Sequence, residues 1–371
     1  MPSSINNVRM HAFTFATDTG GFLKNRRIVF LDYLRVFAFI TVVIAHKFYN
    51  MLEQAIVGSQ LPSYLNYISL TILSAFQGGG TGVIVFFLVS GYIITFVLNN
   101  ESSSVFFIKR FFRIYPLYIF AVSLQYIHDY YSFGVIPDAE ILIPQLFLIG
   151  DFFNAPHTLW GVEWTLRVEV MFYIYMGILK KVNIFDNLTS RLPYIYLVTS
   201  AVIGLTSPFP SGEGWSQGIF SIYSPMLFIG SMIFLYERNI IKLYLVLFPT
   251  SLILGIHYYL MYSYSPDWFY SHFSLIALTI FITTWWYRES LKVTSTVLLL
   301  SNLTYSVYLF HNWPWNSIKS FYDQYSINII HPDLQALISI LAFSYITLQV
   351  VEKPFIKLGN RLTQFGRKPT A

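Results

Sequence analysis

Arg35 and His46 stand with ten residues between them within one apolar stretch, Ile28 to Asn50. Along a helix, eleven positions advance the chain by about 16 Å and return it to within about 20° of the starting direction. The two side chains therefore point the same way at different depths. Ionisable groups are costly in hydrocarbon, so a spanning helix that keeps them turns them toward a polar interior. Histidine changes charge near neutral pH and can take a proton from a hydroxyl. A guanidinium can steady an oxyanion or hold an anionic donor. Each residue alone has a structural alternative: Arg35 paired with Asp32 three positions back, and His46 a satisfied core group. Both on one face of a first span point to chemistry.

Other groups of this kind recur along the chain. Arg110 and Arg113, in FFIKRFFRIYP, share a helix face and can grip a phosphate as two guanidinium forks. Taken alone they also read as an ordinary basic flank, with Tyr115 and Pro116 directly behind them. The stretch from Gln77 to Tyr92 places four glycines before an apolar run, which lets backbone approach a ligand or a neighbouring helix. Ser90-Gly91 within it reads as a close helix contact rather than a nucleophile. In LWGVEWTLRVEVMFYIY, Glu163 and Arg167 can pair across one turn, whereas Glu169 lies on another face and needs a partner of its own. Arg35 is the expected partner. His311, in NLTYSVYLFHNWPW, reads by itself as hydrogen-bonded structure. No HExxH or other paired ligand spacing suggests a metal, and no Gly-x-Ser-x-Gly elbow is present.

These residues must be held by membrane helices. Of 371 residues 55% are hydrophobic and only 11% charged, against about a quarter charged in soluble domains; mean hydropathy is +0.55. The expected fold is an all-α polytopic membrane protein of ten spans: 28–49, 82–98, 114–131, 161–179, 193–206, 217–235, 242–262, 268–287, 297–315 and 334–351. Residues 65–76 and 141–149 are too short to cross and read as interfacial or re-entrant. Basic residues such as Lys24, Arg26, Arg27, Lys109, Arg110, Arg113, Lys180, Lys181, Arg288 and Lys353 gather on one side, which places both termini in the cytoplasm. The resulting division is a tail over 1–27, a transmembrane domain over 28–357 and a tail over 358–371. No cleavable signal is evident. The net charge of +5 follows from these flanks and needs no nucleic-acid partner. The absence of cysteine excludes a thiol nucleophile, disulfides and thiolate-bound metal.

In order along the chain, the segments resemble the acyltransferase family 3 of integral membrane acyltransferases, many of which O-acetylate bacterial surface polysaccharides. Leu31-Asp32-Tyr33-Leu34-Arg35 with His46 matches the family's opening. Gly79 to Tyr92 matches its glycine-rich entry to a Phe-Phe-x-x-Ser-Gly helix, and Arg110, Arg113, Tyr115 and Pro116 its double arginine. Trp164 to Glu169 with Phe172-Tyr173, Tyr305 to His311, and Glu352-Lys353-Pro354 complete the set, with Thr165 where the family has serine. The match covers about Arg27 to Lys357 and lacks the C-terminal esterase-like domain of some relatives.

The resemblance implies transfer of an acyl group, usually acetyl, from cytoplasmic acyl-CoA to a glycan or glycolipid hydroxyl at or beyond the far face of a bacterial inner membrane. It implies that His46 and Arg35 are indispensable and that Arg110 and Arg113, with Tyr115, handle the acyl-CoA. Asp32, Ser90, Glu169 and His311 would support them. Acetyl-CoA is then a substrate, with no permanently bound cofactor or metal. A transporter or flippase of a glycan-assembly pathway is the competing class, and a non-catalytic scaffold a third.

Overall fold

The computed structural model describes residues 27–365 apart from positions 188, 213 and 328. The expected N-terminal tail lies outside these residues but for Arg27, Lys24 and Arg26 included, whereas residues 358–365 of the expected C-terminal tail are helical. The described chain is helical, with no strand among the described residues, as the composition predicts. Its helices are α1 (Val29–Val43), α2 (Tyr49–Val57), α3 (Ser63–Ser74), α4 (Gly80–Asn100), α5 (Ser103–Phe133), α6 (Ala139–Leu146), α7 (Trp164–Lys181), α8 (Ile184–Asn187) and α9 (Leu192–Leu205). They continue as α10 (Ile219–Tyr223), α11 (Pro225–Glu237), α12 (Tyr244–Tyr264), α13 (Pro266–Phe269), α14 (Phe273–Trp286), α15 (Ser295–Phe310), α16 (Trp315–Gln324), α17 (Pro332–Thr347) and α18 (Lys353–Phe365).

Each of the ten apolar segments contains helix. Five largely helical stretches are long and apolar enough to cross a membrane: Val29–Val57, Ser63–Asn100, Ile219–Glu237, Tyr244–Tyr264 and Pro332–Gln364. The chain is an all-α polytopic membrane protein. The segments expected not to cross form α3 and the eight-residue α6, and α3 is mostly exposed.

The bundle is organised around α4, whose residues from Thr81 to Tyr92 are almost all buried. Two glycines explain how closely α11 lies on it. A Cβ on Gly91 would sit 1.8 Å from the carbonyl oxygen of Leu227, and one on Gly230 would sit 2.0 Å from that of Leu88. Backbone therefore meets backbone in both directions, the arrangement by which small residues let helices associate without a hydrophobic driving force. Hydroxyls bridge the same seam: Thr95 Oγ1 lies 2.6 Å from Ser231 Oγ, which is 2.8 Å from Tyr196 OH on α9. Gly91 is thus a packing residue, and Ser90 beside it faces the interior.

On its other flank α4 meets α1, which does not end as an α-helix. Residues Ile44–Phe48 form one π-helical turn before α2 begins. Such turns widen the helix locally and change the direction of every later side chain. His46 lies inside this turn, so uninterrupted α-helical geometry does not set its position relative to Arg35.

Gly230→Ala is expected to force α4 and α11 apart. The cost should be on the order of 1–3 kcal/mol, as for other overpacked contacts. Thermal unfolding of the detergent-purified protein should show a lowered Tm, whereas Gly255→Ala, which would meet nothing within 4 Å, should leave it unchanged or raised.

Candidate active site

Near the start of α1, Asp32 is buried and both of its oxygens are engaged. Arg27 donates to both of its oxygens, at 2.6 and 2.8 Å, and Ser301 Oγ donates to Oδ1 at 2.6 Å. Arg35 reaches the same carboxylate only at 3.9 Å. The expected anchor for Arg35 is therefore held mainly by another arginine. Arg35 instead lines a cavity with Arg110 and Arg113 from α5, Ser90 from α4 and Glu169 from α7. Arg110 Nε is buried there without a hydrogen-bond partner among the described residues. Three guanidinium groups converging on one cavity have the chemistry to hold an anion, and other parts of its wall, including Phe39, Phe86, Val89 and Leu166, are apolar.

Glu169 does not form the expected pair with Arg35. Its Oε1 accepts a hydrogen bond from Ser90 Oγ, and no arginine lies within ion-pair distance of it among the described residues. The reason is geometric: α7 packs on α4 at this level, and Ser90 is the polar group α4 presents. Tyr115 is a second departure. Its hydroxyl donates to the Phe147 carbonyl at 3.1 Å and its ring stacks on Phe111, so it stands outside the lining of the arginine cavity. It follows Arg113 by two positions, a separation that turns it to a different face of α5.

A second cavity lies farther along α1. Its lining includes His46, His311, Gly80, Trp164, Trp268 and Phe273. The two cavities share three wall residues: Val42, Val83 and Tyr308. Tyr308 OH donates to the Val162 carbonyl at 2.7 Å, which makes the Thr165 hydroxyl, 2.6 Å away, the donor to Tyr308. The substitution of threonine for serine thus keeps a hydroxyl at this joint.

The two histidines lie against each other, with ring centroids 5.2 Å apart in an edge-to-face arrangement. The His46 side chain is exposed in the cavity wall, whereas His311 is buried. His311 Nδ1 lies 2.7 Å from the Tyr308 carbonyl and must carry the proton there. That tautomer leaves Nε2 as an acceptor, and it has no partner among the described residues. His311 is therefore more than a satisfied core histidine. Tyr305, Tyr308 and His311 follow one another at intervals of three, a spacing that brings them to neighbouring positions on α15. This was the signal available for Tyr308.

One wall of the histidine cavity is an unusual turn. Leu159, Trp160 and Gly161 all have positive φ, at 50°, 56° and 82°. Non-glycine residues resist this conformation by about 1–2 kcal/mol each, so the surroundings must enforce it. Gln125 Oε1 accepts from Leu159 N at 2.6 Å, and Glu163 Oε1 accepts from Thr158 N at 2.7 Å. Glu163 pairs with Arg167 at 3.0 Å, as its spacing predicts, and Arg167 also binds Asp151 at 2.6 Å. His157 adds a contact to Glu163 at 2.9 Å. Asp151, His157, Gln125 and Trp160 were not legible as site-forming residues, because they meet only through the folded turn.

The acyltransferase domain model of the Acyl_transf_3 family matches residues 28–349. Among curated proteins, the chain is 31% identical over 121 residues to the acetyltransferase-named ORF330 of Acidianus two-tailed virus, covering 30% of this chain and 34% of that protein. It is 27% identical over 173 residues to nodulation protein 10 of Rhizobium leguminosarum bv. viciae, covering 41% of this chain and 44% of that protein. The chain thus spans less than half the length of these relatives. No solved structure matches. With the family match running through the helices that carry both cavities, the chain belongs to acyltransferase family 3.

Proposed function

We propose that the protein moves an acyl group, acetyl being the simplest, from cytoplasmic acyl-CoA to a hydroxyl of a cell-surface glycan or its lipid-linked precursor in a bacterial inner membrane. The observation that carries this reading is the pair of cavities meeting at Val42, Val83 and Tyr308, one rimmed by three arginines and the other by two histidines. The arginine cavity lies toward the end of α1 bearing Arg27, the end that basic residues assign to the cytoplasm. Arg110 and Arg113 suit the anionic part of CoA, and the apolar walls beyond them suit the pantetheine arm. The thioester would then reach the junction beside Tyr308.

His46 takes the proton of the acceptor hydroxyl as the oxygen attacks the thioester carbonyl. The new C–O bond forms, the C–S bond breaks, and the CoA sulfur leaves as thiolate to collect that proton. Arg35 holds the donor or steadies the developing oxyanion. His311, in the wall of the same cavity and edge-to-face with His46, helps position the hydroxyl beside it. Without a thiol in the chain, direct transfer between the two bound substrates is the simplest scheme. Intersecting rather than parallel double-reciprocal lines are its expected kinetic signature.

His46→Ala should lower kcat by at least about 10²-fold, the usual contribution of a general base, in protein that still unfolds at the wild-type temperature. CoA release from acetyl-CoA in the presence of acceptor is the readout, and turnover near the wild-type rate would remove His46 from the mechanism.

The double change Arg110→Ala, Arg113→Ala should weaken acyl-CoA binding at least tenfold. Each lost charge-assisted bond to phosphate is worth about 1.5–3 kcal/mol. Calorimetric titration with CoA checks this, and unchanged affinity would return both residues to a topological role.

Arg35→Lys should impair turnover far more than yield or Tm. Arg27 rather than Arg35 satisfies Asp32, so the fold does not depend on the Arg35 fork, whereas recognition of a planar anion does. Equal losses of stability and activity would contradict this assignment.

A further inference from the structure

A third cavity, separate from the arginine cavity, opens at the end of α5 opposite Arg110 and Arg113. It lies between that helix end and α16. His128, Asp129, Trp313, Asn316 and Ser320 line it, and Trp160 lines both this cleft and the histidine cavity. The positive φ of Trp160 holds its ring, 55% exposed, at this boundary.

The chemistry of the cleft narrows what it can take. No lysine or arginine lines it among the described residues, so it offers no charge to a phosphate or to CoA. Its rings are interleaved with amide, hydroxyl and carboxylate groups, so an acyl chain would have to bury them unpaired. Asn316, Ser320 and Gln324 recur every four residues, which aligns them along one side of α16. Asn316, Ser320 and Gln324 are exposed and free of side-chain hydrogen bonds to other described residues. Asp129 is fixed by His128 at 3.0 Å and Gln125 at 3.3 Å, and His128 Nε2 lies 2.8 Å from Ser317 Oγ. Flat rings beside a row of neutral donors and acceptors match a ligand with apolar C–H faces and many hydroxyls.

We propose that this cleft is a saccharide-binding site, which holds the sugar rings next to the one being acylated and delivers that ring past Trp160 to His46. The proposal rests on the glycan-acceptor reading above and adds the place and the residues of recognition. Asn316, Ser320 and Gln324 bind hydroxyls, Asp129 accepts from a further one, and the exposed Trp160 ring supports a sugar face. The acceptor is bound on one side of the junction while the donor occupies the other.

The test uses the full chain in lipid nanodiscs, with maltotriose, cellotriose and chitotriose as probes in saturation-transfer NMR. At least one trisaccharide should bind. Ser320→Trp, which fills the cleft from an exposed position, should weaken that binding at least tenfold, and Asn316→Ala, a truncation with no added bulk, should weaken it in the same direction. His46→Ala should bind the sugar as the wild type does. Failure of all three sugars to bind, or binding indifferent to both cleft variants, overturns the proposal. Sugar binding that responds to the cleft variants, in a protein that never releases CoA from acetyl-CoA, would keep the cleft and overturn the acyl-transfer reading instead.

Discussion

Charge inside an apolar helical bundle must be neutralised, hydrogen-bonded or turned toward a cavity, because its desolvation costs several kcal/mol. In this protein Asp32 shows how that constraint shapes the rest. Its two oxygens are saturated by Arg27 and Ser301, which ties the entry of α1 to α15. Arg35, one turn further on, is left to face the arginine cavity. Had Arg35 been the principal partner of Asp32, its guanidinium would have been a strut. Because Arg27 takes that role, the charge of Arg35 remains available to a ligand.

The same constraint operates at the opposite wall. Arg167 is almost wholly buried and is balanced by Glu163 and Asp151. This network also holds the Thr158–Gly161 turn in a conformation its residues would not choose. Breaking one partner of such a pair typically costs about 3–5 kcal/mol, enough to enforce the left-handed backbone at Leu159 and Trp160. The turn supplies the ring of Trp160 to two cavities and leads into Val162, whose carbonyl accepts from Tyr308. A buried ion pair that looks purely structural thus sets one wall of the histidine cavity.

The close contact of α4 with α11 complements this arrangement. With Gly91 and Gly230 removing side-chain bulk on that seam, α4 keeps its opposite side for α1 and the cavities. Ser90, directly before Gly91, reaches Glu169 and satisfies a carboxylate that would otherwise compete for the arginines. One helix therefore combines tight packing with a polar lining: Gly91 meets α11, whereas Ser90, one position earlier, turns to α7.

Several of these features were already readable in the amino-acid sequence. Apolar runs separated by basic flanks require membrane helices. A histidine and arginines at the ends and middle of such runs require a polar interior, and the order of short motifs carries the family. Glu163 and Arg167 could be paired from spacing alone, since both sit on one helix. Contacts between helices were not readable in this way. Glu169 bonds to Ser90 instead of Arg35 and Asp32 belongs chiefly to Arg27, because the rotation of each helix and the path of the chain into α1 decide which groups meet. The junction at Tyr308, the unpartnered Nε2 of His311 and the strained turn at Trp160 also arise only in three dimensions. Local periodicity determines which side chains share a helix face, whereas the packing of one helix against another determines what each face meets.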